Sequence, residues 1–245
     1  MTSTAALAWR QFRFERRLFW RNPSAAFFNF LLPLLFLVLI ATVFGGDRDE
    51  LEVLVPGIAG MAVMSTTFTA LAFNITFLRE QGILKRMRGT PMPPLAYFGG
   101  LLASAVMNAI VQVALVVAIG HLAYDLGWPR DWFELVVFTL VGVVAFGSLG
   151  IALAHAIPNF DAAPAYINAV FLPLIFISGT FYSTDSLPAA LDAVTTALPL
   201  KHAIDGLHAA IVGGRGLADN LGSLAALSGW ALVGAVAAVR WFRWE

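Results

Sequence analysis

The chain has 245 residues, of which 59% are hydrophobic and 12% charged, and its formal net charge is +0. A water-soluble domain carries about 25% charged residues and one core cannot hide this much apolar surface, so lipid must cover much of it. The neutral balance excludes the basic face of a nucleic-acid binder, and the absence of cysteine excludes disulfides and thiolate metal sites.

The first element lies in residues 5–21, AALAWRQFRFERRLFWR. Ala5, Trp9, Phe12 and Phe19 fall roughly on one helical face, interrupted by Arg16. A basic helix rich in aromatic residues suits the membrane interface; the same arginines also serve as a positive flank for the span that follows. The apolar run behind them is too long for the core of a signal peptide and has no small-residue cleavage site.

An uncharged apolar stretch of about 20 residues crosses a bilayer as a helix. Such stretches run from Asn22 to Gly46, Val53 to Leu78, about Leu95 to Leu122, Leu135 to Ile157, Ala162 to Tyr182 and Leu221 to Val239. The expected fold is therefore an all-α integral membrane domain of six spans, occupying residues 1–245 without a separate soluble unit. Pro33 and Pro173 fall inside the first and fifth spans, where each removes one backbone hydrogen bond. With the N-terminus in the cytoplasm, 11 of the 15 basic residues fall on the cytoplasmic side, as the positive-inside rule requires. Both termini are then cytoplasmic.

Two connections carry patterns of their own. Residues 79–94, REQGILKRMRGTPMPP, form the longest cytoplasmic loop. A short helix over 80–88 would group Ile83, Leu84 and Met87 on one side, with Gly89 and Pro91 ending it. That knob suits a groove on a soluble partner; it equally suits a basic loop that only sets topology. Residues 183–220 lie on the outer side. Thr184, Asp185 and Ser186 are candidate N-caps, Pro188 sits in the first turn, and Leu187, Leu191, Val194 and Leu198 form a helical stripe. Pro199 breaks it, and a second helix runs through Ile204, Leu207 and Ile211 to Gly213 and Gly214. Each helix is too short to span, so the pair reads as a re-entrant hairpin dipping into the outer leaflet.

The chemistry of an enzyme is missing. No G-x-x-x-x-G-K-[ST] phosphate loop occurs, and His121, His155, His202 and His208 show no metal-ligand spacing. Nor do the spans hold any Asp, Glu, Lys or Arg, the charged groups by which ion-coupled carriers take up a proton or sodium, which weakens the reading as a secondary transporter. The energy for transport must then come from a partner, and residues 79–94 are the place to dock one.

The loop Glu80, Gln81, Gly82, Ile83, Leu84, Lys85, Arg86, Gly89, Thr90, Pro91 is similar to the coupling-helix segment of the type-2 permease family of ATP-binding cassette exporters. The run PLIFISGTFYSTDSLPAAL from Pro173 to Leu191 resembles that family's fifth span and its exit to the outer hairpin, and Leu198, Pro199, Leu200, Lys201, His202 resemble the hairpin break. The family includes drug-resistance permeases and exporters of O-antigen, teichoic acid and lipo-oligosaccharide. The resemblance implies a half-transporter in the plasma membrane of a prokaryote. A second copy of this chain would complete the permease, and two copies of a separate ATPase subunit would bind ATP and Mg, with no cofactor on this chain. It also implies that Glu80 and Arg86 make polar contacts to the ATPase, that Gly82 allows its close approach, and that Pro91 fixes the turn into the third span. The outer loop at about 47–52 leaves no room for a large inserted domain. An uncharged pathway suits an amphiphile, a hydrophobic drug or lipid-like molecule, with a lipid-linked polysaccharide as the alternative. Candidate lining residues are Phe73, Phe77, Tyr166, Asn168, Phe176 and Tyr182.

Overall fold

A computed structural model describes residues 3–43, 47–89, 93–184, 188–214 and 216–241, with the side chains of 24–26, 28, 87, 88, 94, 95 and 241 outside the description. All regular structure among the described residues is helical. In chain order the helices are α1 (Thr4–Arg21), α2 (Pro23–Val43), α3 (Arg48–Met64), α4 (Ala70–Glu80), α5 (Ile83–Arg88), α6 (Pro94–Tyr124), α7 (Trp132–Ala154), α8 (Ala163–Ile177), α9 (Ala189–Ala197), α10 (Pro199–His208) and α11 (Leu221–Trp241).

Among the described residues, four helical stretches are long and apolar enough to cross a membrane: Arg48–Glu80, Ala96–Tyr124, Trp132–Ala154 and Leu217–Arg240. Two more apolar stretches are Asn29–Val43, the longest run of described side chains in the 21-residue α2, and the shorter Ala163–Ile177. The expected fifth span, drawn to Tyr182, stops as a helix at Ile177. Gly179 turns left-handed at φ 76°, and the chain beyond it crosses α3, where a Cβ on Gly57 would collide with the Thr180 carbonyl oxygen. Close approach at a small residue is a common way for helices to meet in lipid, where there is no hydrophobic force to drive them together.

Arg48–Glu80 is one continuous rod with a π-helical turn, Ser65–Thr69, between α3 and α4. Its cause is local. Thr66 Oγ1 donates to the carbonyls of Ala62 and Val63 at 2.8 and 3.2 Å, and Thr67 Oγ1 donates to Val63 at 2.6 Å. Hydroxyls that donate to backbone carbonyls compete with the regular ladder and loosen it. This rod is the centre of the molecule, buried along nearly all of α3. Around it α2, α6, α7 and α10 close one apolar core containing Val55, Ile58, Met61, Phe138, Phe146, Leu200 and Leu207.

Helix α1 packs along the first half of α6: Gly100 lies against Gln11 and Phe12, and Arg16 Nη1 donates to Asn108 Oδ1. Arg16 interrupts the apolar stripe because it makes the polar contact to α6, and its Cζ also lies 5.5 and 5.7 Å from the ring centroids of Phe19 and Trp20.

Helices α9 and α10 break at Pro199, the first residue of α10, as expected, and α10 runs through a π turn to Gly214 at φ 65°. Candidate caps Asp185 and Ser186, with Leu187, lie outside the described residues. The stripe on α9 does not bury: Leu191 and Val194 are 49% and 48% exposed, and the buried residue is Thr195. On α10 the expected face does bury, with Leu200, Ile204 and Leu207 in the core. The break itself sits beside α11, where Trp230 Nε1 donates to the Ala197 carbonyl at 3.1 Å.

Candidate functional site

Helix α4 ends at Glu80 and the chain turns through Gln81 and Gly82 into the short helix α5. Gly82 has φ 65°, and a Cβ there would meet nothing within 4 Å. The glycine is required by the left-handed turn rather than by crowding around it. Leu84, expected on the outward apolar flank, is only 1% exposed and packs inward with Leu71, Ile75, Tyr97, Leu101 and Ala154. Leu84 therefore anchors α5 to the chain's own helices, because burying it there removes it from water, while Ile83 is half-buried and the Met87 side chain lies outside the description. Among the described side chains of the turn, Glu80, Gln81, Lys85 and Arg86 are exposed, and Arg86 Nη2 donates to the Gln81 carbonyl at 3.1 Å. Pro91 lies outside the described residues.

Two side chains tie this turn to the rest of the molecule. The Arg79 guanidinium donates to the Ala154 carbonyl at 2.8 Å and also to the Ile157 carbonyl. Ala154 carries the last carbonyl of α7, which a cation satisfies well, and Ile157 lies in the connection just beyond it. The Glu80 carboxylate accepts from the Phe160 backbone N–H, in the connection that leads into α8. Phe73 and Phe77 add edge contacts to the Phe160 ring at centroid distances of 6.1 and 5.5 Å. The α4–α5 turn is thus joined to the ends of both α7 and α8. Sequence reasoning missed Arg79; its only signal was an arginine immediately after an uncharged run.

Of the candidate lining residues, Phe77, Tyr166, Asn168, Phe176 and Tyr182 are exposed, and Phe73 is half-buried. Tyr182 Oη donates to the Phe176 carbonyl at 2.7 Å and borders a cavity of about 340 Å³ together with Asp49, Glu50 and Phe181. Exposed Asn168 sits in the middle of apolar α8, where lipid would leave its amide without partners.

Two further cavities were not foreseen. One, of about 840 Å³, lies between α7, α8 and α11 above the α9–α10 break, and its walls include Phe68, Phe146, Leu174, Pro199, Trp230 and Arg240. The other, of about 370 Å³, lies between α1, α2, α4 and α6. It is lined by Glu15, Asn22, Asn29, Asn74, Ser104 and Asn108 among others, so it gathers asparagines from three helices, α2, α4 and α6, and from the C-cap of α1.

A residue placed by sequence in the outer loop also proves structural. Glu134 is fully buried in the first turn of α7 and its Oε1 accepts from Asn220 Nδ2 at 2.8 Å, pinning α7 to the start of α11. Among the described residues no group of three or more metal-ligating side chains occurs.

A family model described as ABC-2 type transporter matches residues 2–212. The chain is 28% identical over 184 residues, 71% of its length, to the daunorubicin resistance ABC transporter permease protein DrrB1 of Streptomyces coeruleorubidus. It is 28% identical over 160 residues, 64% of its length, to nodulation protein J of Rhizobium leguminosarum bv. viciae. It is also 28% identical over 199 residues, 80% of its length, to the probable multidrug ABC transporter permease YbhS of Escherichia coli. These matches cover 63, 60 and 46% of the relatives' own lengths, respectively.

Proposed function

The chain belongs to the ABC-2 type transporter family, and from that premise we propose that it is the membrane subunit of an ATP-driven exporter whose ATPase is a separate protein. It is a multi-pass membrane protein by its apolar helices. In this reading α2 and α8 complete six spans, α1 lies at the interface, α9 and α10 form the outer hairpin, and both termini are cytoplasmic in a bacterial plasma membrane. Two copies of the chain and two ATPase subunits form the working unit, and the ATPase holds the ATP and Mg.

The observation that carries the proposal is the bracing of the α4–α5 turn. A push on exposed Lys85 and Arg86 reaches α4 directly and, through Arg79 and Glu80, the ends of α7 and α8 as well. Such a joint transmits motion because every link is a packed or charged contact rather than a loose loop. Arg86 and the turn at Gly82 face the ATPase, Glu80 holds the turn to the connection before α8, and Pro91 leads into α6.

The substrate class we assign is a hydrophobic or amphiphilic drug or lipid-like molecule. The printed functions of two relatives, daunorubicin resistance and multidrug transport, support it, as does exposed Asn168 beside aromatic Tyr166 and Phe176 on α8. The asparagine-lined cavity favours one second reading, an amphiphile with a hydroxylated headgroup such as a lipid-linked glycan, whose hydroxyls neutral amides would satisfy.

The test is co-reconstitution of the chain with its candidate ATPase in lipid discs, comparing wild type with a Lys85→Glu, Arg86→Glu variant. Both side chains are exposed, and protease accessibility of the two termini checks that the variant keeps its topology. Loss of the complex and of stimulated ATP hydrolysis is expected. Unchanged binding and hydrolysis would remove the turn as the docking point.

A further inference from the structure

The cleft between α7, α8 and α11 has two unlike ends. At one end lie Arg240 of α11 and His155, the C-cap of α7. At the other, Leu198 and Pro199 of the helix break close the floor, and Trp230 is held there by its bond to the Ala197 carbonyl. Between them the walls are apolar, and among the described residues no carboxylate lines the cleft. Ten residues of α11 separate Trp230 from Arg240, which is a rise of about 15 Å. That matches half of a hydrocarbon core of about 30 Å. The basic end is the end where Arg79 of α4 meets the α7 carbonyls, so the cleft opens in the same leaflet as the α4–α5 turn.

We propose that this cleft is a binding site for one anionic membrane phospholipid of that leaflet. Its acyl chain lies along the apolar walls down to Trp230, and its phosphate meets Arg240, with His155 beside it. The length argues for a lipid chain that starts at the leaflet surface and stops at the midplane. The charge argues for an anionic headgroup, since a guanidinium next to an apolar wall attracts phosphate and has no acid within the cleft to neutralise it. A cleft of about 840 Å³ also falls in the size range of ligand sites. The proposal rests on α7 and α11 crossing the membrane, not on the docking of an ATPase.

The full chain alone, reconstituted in phosphatidylcholine vesicles, tests it. Lipids with brominated acyl chains quench tryptophan on contact, and the contribution of Trp230 is the wild-type signal minus that of Trp230→Phe. Brominated phosphatidylglycerol is expected to quench Trp230 with about five-fold stronger apparent binding than brominated phosphatidylcholine. Arg240→Gln is expected to abolish that preference while leaving quenching itself in place. Equal quenching by both lipids in the wild type would overturn the proposal. So would a Trp230 that neither lipid reaches, which would mean that a second copy of the chain fills the cleft. If Trp230→Phe does not reconstitute, native mass spectrometry of wild type and Arg240→Gln from mixed lipid decides. Phosphatidylglycerol retained by the first and lost from the second supports the site, and no difference between them rejects it.

Discussion

The guanidinium of Arg79 reaches across from the end of α4 to the Ala154 carbonyl at the end of α7, 2.8 Å away. With its second bond to the Ile157 carbonyl, one side chain meets the last carbonyl of α7 and one in the connection that follows it.

Arg79→Ala should therefore destabilise the chain by about 1.5–3 kcal/mol, the range for hydrogen bonds to a charged donor. Arg79→Lys should recover only part of this, because an ammonium is a point charge and cannot fork between two carbonyls. Thermal unfolding in lipid discs measures both, and a Lys variant as stable as wild type would show that charge alone suffices. In the assembled transporter the Ala variant should also uncouple hydrolysis from transport.

Gly57 has no space for a side chain, because its missing Cβ is the gap that the Thr180 carbonyl occupies. Gly57→Ala must push the chain after α8 off α3, at a cost of about 1–3 kcal/mol for forcing extra volume into a packed site. Limited proteolysis around residues 178–184 should become faster in the variant. Unchanged cleavage and stability would mean the two segments separate without cost.

Burial pushes the Glu15 carboxyl above its ordinary range, partly offset by Gln11 Nε2, which donates to Glu15 Oε1 at 2.7 Å. The folded state then holds this proton more tightly than the unfolded chain does. The resulting stability is fully present below the ordinary carboxylate pKa and is lost as pH rises through the folded value. Glu15→Gln keeps an acceptor for Gln11 and removes the titration. It should be more stable than wild type at neutral pH, and the gap should close near pH 4. A gap that does not change with pH would place the effect in packing instead.

The Glu134–Asn220 contact should behave as a coupled pair. Asn220→Ala leaves a buried carboxylate oxygen without its donor and should cost about 1–3 kcal/mol. Adding Glu134→Gln to that variant should return part of the loss, since a neutral amide is cheaper to bury than a carboxylate. A double-mutant cycle on unfolding temperature reads the coupling directly, and purely additive effects would dissolve the pair.

Much of this protein was legible in its residues taken in order. Composition and uncharged runs carry the membrane class, because the length needed to cross a bilayer is a property of consecutive residues. The break at Pro199 and the left-handed end at Gly214 were equally visible, since proline and glycine act on their own backbone. The turn at Gly82 belongs here too, since its φ of 65° is a property of its own backbone.

What only the tertiary structure decided are the contacts between residues far apart in the chain. Leu84 looked like part of an outward apolar flank but anchors α5, because burial depends on what α6 and α7 bring beside it. Arg16 looked like a flaw in an amphipathic stripe until Asn108 stood opposite it. Glu134 looked like a loop acid, yet Asn220, 86 positions later, makes its burial tolerable. The two large cavities were invisible for the same reason: a cavity is bounded by several helices at once, and periodicity along one helix says which face is apolar but not which neighbour meets it.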